Sequence, residues 1–124
     1  MNAITGAICA AVSLLSVSSA SVAQTALTMG AGESTCAEFG QHYQRAVDIE
    51  GTYFDWAQGY MSGMNTMFAL LKRPTRDLHA MPTSEQMTAL RHYCDDHPLE
   101  EYEAAVVSLY YSLPDVPVPN ATKP

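Results

Sequence analysis

Positive charge is scarce in this chain: six Lys and Arg stand against 13 Asp and Glu, a formal charge of −7. Nucleic acid and anionic membrane surfaces repel such a protein, so neither is an expected partner. Catalytic signatures are missing as well. There is no Gly-x-Ser-x-Gly turn, no phosphate-binding glycine loop and no Cys-x-x-Cys pair. The sequence therefore reads as a binding protein and not an enzyme, with no cofactor implied. No alternating apolar pattern marks a strand. Beyond the first 23 residues no apolar run is long enough to span a bilayer.

Those first 23 residues carry no charged side chain at all. Residues 3–20 are small and apolar, and Ser21-Val22-Ala23 places small residues where a signal peptidase cuts. An uncleaved membrane anchor is the competing reading, but the stretch is poor in Leu, Ile and Phe. Cleavage after Ala23 would release a soluble domain of about 100 residues into an oxidising compartment outside the cytoplasm. Three cysteines are present, and Cys9 leaves with the signal peptide. The even pair that remains, Cys36 and Cys94, is expected to be oxidised in that compartment. One disulfide closing a loop of about 60 residues is worth about 4 kcal/mol in the chain-entropy model. In a domain this small it is a structural element first.

Helical signals dominate the mature part of the chain. Residues 24–34 lack apolar anchors and are expected to be a flexible leader. Thr35-Cys36-Ala37-Glu38 reads as a capping box opening a first helix to about Ala46, with Cys36, Phe39, Tyr43 and Val47 at helical spacing. The segment 48–51 breaks the pattern, and Thr52 to Asp55 resembles a second capping box. Tyr53, Trp56, Ala57, Tyr60, Met64, Met67, Phe68 and Leu71 then form one stripe. Gly59 and Gly63 sit near it, each costing about 1 kcal/mol against Ala. Close approach of a neighbouring helix would explain them.

Lys72-Arg73-Pro74 ends this helix, and residues 75–81 form a loop or short turn. Residues 82–86 start a third helix with Met87, Leu90 and Cys94 inward. Pro98 suits the first turn of a fourth, buried through Leu99, Tyr102, Val106, Leu109, Tyr110 and Leu113. Residues 114–124 form a Pro-rich tail with no route to a core. The expected architecture is all-α: a small four-helix bundle over residues 35–113, with one disulfide, after a cleaved signal peptide.

Two clusters have chemical potential. His92, Asp95, Asp96 and His97 crowd the end of the third helix, with His92 and Asp96 one turn apart. No further ligand has a diagnostic spacing, so helix-end electrostatics is the preferred reading over a metal site. Glu100, Glu101 and Glu103 read as favourable charges at a helix start. The Met and aromatic stripe of the second helix is ordinary core by first reading. Its methionines also suit a pliable surface that accommodates varied apolar partners. Trp56, Tyr60, Met64, Met67 and Phe68 are the candidate client-binding face.

Thr35-Cys36-Ala37-Glu38-Phe39, Trp56-Ala57-Gln58-Gly59-Tyr60 and Tyr93-Cys94-Asp95-Asp96-His97-Pro98 with the helix after it resemble the HdeA/HdeB family of periplasmic acid-stress chaperones. The resemblance spans residues 35–113, and Cys36 and Cys94 fall where that family has its single disulfide. It implies a helical protein, dimeric and inactive near neutral pH, that loosens in strong acid and holds unfolded periplasmic proteins without ATP. A second resemblance gives the alternative. Gly59-Tyr60-Met61-Ser62-Gly63, His97-Pro98 and Ser112-Leu113-Pro114 are similar to periplasmic immunity proteins that block type VI amidase effectors. That reading implies one tight protein partner met by an acidic face.

Overall fold

A computed structural model describes residues 27–118. The expected signal peptide, Cys9, residues 24–26 of the leader and residues 119–124 of the tail lie outside the described residues. Among the described residues four helices account for most of the fold: α1 (Cys36–Arg45), α2 (Val47–Leu70), α3 (Thr83–Asp96) and α4 (Tyr102–Ser112). A 3₁₀ turn (Gly30–Glu33) precedes them, and two short strands, β1 (Thr75–Arg76) and β2 (Asp115–Val116), pair antiparallel.

The capping box forms as its spacing indicates. Thr35 Oγ1 accepts from the Glu38 amide, and the Glu38 carboxylate accepts from the Thr35 amide. These bonds hold the Glu38 carboxyl below its usual range, the backbone amide of Thr35 being the largest cause. The next two amides of α1 find backbone partners in the α3–α4 turn. Cys36 N–H donates to the Glu100 carbonyl at 2.7 Å, and Ala37 N–H to that of Pro98 at 2.9 Å. Cys36 and Cys94 are disulfide-bonded at the same corner, with Cα atoms 4.7 Å apart.

Between α1 and α2 only Ala46 leaves helical geometry, at φ −152° and ψ 118°. Residues 48–51, expected as a break, are the first turns of α2. The second capping box is therefore absent: Thr52 lies inside the helix and its hydroxyl donates to the Asp48 carbonyl. Helical continuity brings Glu50 inward, where it pairs with Arg91 of α3.

Phe39, Tyr53 and Tyr102 form the aromatic centre, their ring centroids 4.8–5.0 Å apart. Burial, followed by the nearby Glu50, pushes the Tyr102 phenol far above its ordinary range. Towards the other end Met61, Leu90, Leu109, Tyr110 and Leu113 continue the core. Leu99 does not belong to it. The turn at Pro98 delays α4 until Tyr102, and Leu99 is 91% exposed.

The tail departs most from expectation. Leu113 is buried as expected, but Arg76 ties the residues after it down through its bond to the Leu113 carbonyl (2.9 Å) and its ion pair with Asp115 (2.8 Å). Asn65 of α2 holds the opposite side of β1. Its side chain accepts from the Arg76 amide and donates to the Arg76 carbonyl, while its Oδ1 also accepts from Tyr110. Residues 75–76 and 115–116 thus pair because side chains of α2 and β1 satisfy a ladder too short to stand alone.

Candidate functional site

The candidate face on α2 divides into three parts. Trp56 and Tyr60 stack with centroids 5.0 Å apart and planes 19° from parallel, as one-turn spacing allows. Both are partly buried, and Met64 joins them at the margin of the core. Phe68 is buried against Tyr110 and carries the Arg73 guanidinium 5.0 Å from its ring centre. Met67 faces out and is 49% exposed. The five residues are therefore not one continuous surface. The inward arc of α2 instead runs through Glu50, Phe54, Ala57, Met61 and Phe68, and Met61 is fully buried.

The expected stripe shares Tyr53, Ala57 and Phe68 with the buried arc but is centred to one side of it, so it misses Phe54 and Met61, and it misses Glu50 because residues 48–51 are expected as a break. Leu71, included in the same stripe, is exposed just past the helix end. Gly59 and Gly63 are also exposed, and a methyl group at either would meet nothing within 4 Å. The close helix approach expected there is absent, and nothing in the structure explains these two glycines.

The Trp56–Tyr60 pair is covered by the chain's own leader. Met29 offers its backbone carbonyl to Trp56 Nε1–H at 2.8 Å, and the 3₁₀ turn lays Gly32 on the indole ring. A Cβ at Gly32 would lie 2.2 Å from Trp56 Cη2, so only glycine fits there. Gly30 adopts φ +83°, a conformation that disfavours residues with a side chain. Residues expected as a leader without anchors are thus anchored through backbone atoms, which composition alone does not reveal.

Glu103 of α4 fastens this arrangement. One carboxylate oxygen accepts from the Tyr60 hydroxyl and the other accepts from Thr28 Oγ1 at 3.3 Å. Burial first, and the Glu103 bond second, push the Tyr60 phenol up to about 12. Glu100 accepts similarly from Tyr93, raising that phenol. Carboxylates read from the sequence as helix-start charges therefore act mainly as acceptors between elements. Among the described residues, carboxylates make the ties from Glu103 to Tyr60 and Thr28, Glu50 to Arg91, Glu100 to Tyr93, and Asp115 to Arg76.

Around the α3 terminus, His97 Nδ1 lies 3.7 Å from Glu100, and its ring packs on Tyr93. Among the described residues no three His, Cys, Asp or Glu side chains converge as a metal site would need. Nor is any described helix long and apolar enough to cross a membrane. A cleft of about 370 Å³ lies between α2 and the 78–83 segment. Gln86 borders it, donating from Nε2 to the Leu78 and Met81 carbonyls. Its Oε1 is buried without a partner. No family model, curated protein or solved structure matches the chain.

Proposed function

We propose that this is an exported, periplasmic acid-stress binding protein of the HdeA/HdeB kind, which uncovers apolar surface at low pH and holds unfolding proteins without ATP. The observation that carries the reading is that the Glu103 carboxylate bonds both Tyr60 and Thr28, next to the Met29 carbonyl that covers Trp56. Hydrogen bonds accepted by charged carboxylates are as a class about twice as strong as neutral ones, so strong acid weakens ties of this kind. The same acid leaves Arg91 and Arg76 without ionised partners. Six Lys and Arg and four His then carry an uncompensated positive charge, and self-repulsion favours opening. Trp56, Tyr60 and Met64 become available first, and the Cys36–Cys94 bond limits how far the chain expands. A resting homodimer fits the reading and would be opened by the same charge change.

Trp56 is the single tryptophan, so its emission reports the opening. On titration from pH 7 to pH 2, acrylamide quenching of Trp56 and binding of an apolar dye should rise together and reverse on neutralisation. A flat response in both would overturn the proposal.

One observation favours the alternative of an immunity protein that blocks a type VI amidase effector. Leu99 projects from a turn whose flanking carbonyls are held by the α1 amides, with Glu100 and Glu101 exposed beside it and Asp95 and Asp96 exposed at the end of α3. A rigid apolar tip with acidic surroundings suits a preformed epitope for one cationic partner. Under this reading the neutral protein inhibits such an amidase, and Leu99→Asp abolishes inhibition without affecting folding. Inhibition unchanged by the substitution would exclude Leu99 as the contact.

A further inference from the structure

We infer that the Trp56–Tyr60 face is a peptide-binding groove for glycine-rich turn segments, held at rest by the chain's own residues 29–32. The inference rests on the proposed binding role and deepens it by naming the class of segment this face accepts. Recognition here uses backbone. The Trp56 indole donates to a main-chain carbonyl, that of Met29, so the residue at that position is not specified by its side chain. Leu27 and Met29 are 95% and 82% exposed, and the strap is not held by burial of its large side chains. What the groove does specify is the absence of a Cβ at Gly32, where one would fall 2.2 and 2.3 Å from indole carbons. Gly30, with a positive φ and an ideal Cβ 3.4 Å from the indole, makes the turn that brings Gly32 there.

Room remains beside the strap. An open cleft of about 470 Å³ is lined by Leu27, Thr28, Met29, Trp56, Gly59 and Tyr60. An incoming segment that replaced residues 29–32 could place larger side chains in it. The strap joins α1 directly through Ser34 and Thr35, so it competes as an intramolecular occupant at high effective concentration. A segment in trans therefore binds measurably only when the strap is weakened.

The test uses the full chain at neutral pH with Gly32→Ala, and a synthetic peptide of residues 27–34 as the probe. The substitution should expose Trp56 to acrylamide, with a red shift of its emission. Added peptide should restore the shielding, whereas a peptide with Ala in place of its second glycine should not. Unchanged quenching in the variant, no effect of peptide, or equal effects of the two peptides would each overturn the inference. Gly30→Ala, which strains the turn without the severe clash, replaces the first variant if circular dichroism shows that Gly32→Ala does not fold. Acid protection of clients is a separate measurement. Lost peptide binding with intact acid protection removes only this inference, and the reverse removes only the acid reading.

Discussion

Tyr60 on α2 donates its hydroxyl to Glu103 on α4, and the same carboxylate holds Thr28 of the leader. One acidic side chain thus joins three segments distant in sequence. Tyr60→Phe removes one of these bonds without removing the stacked ring, and should cost about 1 kcal/mol. Glu103→Gln should cost about 1–3 kcal/mol, because a partly buried charged acceptor is lost. Both should raise acrylamide quenching of Trp56 at pH 7, and Glu103→Gln should shift acid opening to higher pH. Urea unfolding with Trp56 fluorescence measures both effects.

An alkaline limit arises from the same contact. The Tyr60 phenol is raised to about 12, so its favourable neutral form contributes fully below the ordinary tyrosine value of about 10. That contribution is lost as pH rises from about 10 through about 12. Trp56 should become quenchable across this window, and Tyr60→Phe should abolish the transition. Identical alkaline profiles for the two proteins would show that Tyr60 ionisation is not its cause.

Glu38 defines an acid effect of opposite sign. Its carboxyl is held below the usual range, so the contribution of the capping box is present above the ordinary carboxylate value. It is lost as pH falls through the lowered one. Glu38→Gln should flatten the most acidic part of the stability curve, measured by thermal melts between pH 5 and 2, while leaving the Trp56 response intact.

The disulfide spans 58 positions and buttresses the corner where α1, the α3–α4 turn and α4 meet. Replacing Cys36 and Cys94 together by Ser should cost about 4 kcal/mol in the chain-entropy model. Recovery of the native Trp56 signal after an acid pulse should be lost with it. Full recovery would contradict the role assigned to the cross-link.

Lys72 ends α2 at φ +53°, a left-handed position normally given to glycine. Lys72→Gly should stabilise the fold by about 1 kcal/mol through relief of that strain. A lower melting temperature would indicate that the lysine side chain contributes more than its backbone conformation costs.

Much of the fold is legible in the sequence because amphipathic spacing survives there. The Thr35–Glu38 box, Leu90 and Cys94 of α3, and the Tyr102, Val106, Leu109, Tyr110 face of α4 are placed as expected. Errors gather where a non-local contact decides. Nothing near Gly32 in sequence indicates that it rests on Trp56, and nothing near Asp115 indicates Arg76 across from it. Ala46 breaks the helix for a single residue, and no Gly or Pro announces it. Within α2 the expected face lies to one side of the buried one, so it includes the exposed Met67 and leaves out the buried Met61.

The most direct test mixes a protein of residues 24–124 with an acid-labile enzyme and tracks light scattering from pH 7 to pH 2 and back. Aggregation should be suppressed only in acid, with enzyme activity recovered on neutralisation and both effects enhanced by Glu103→Gln at intermediate pH. Aggregation equal to that of the enzyme alone at every pH would contradict the acid-stress role, and inhibition of a single amidase partner would then be the function to measure.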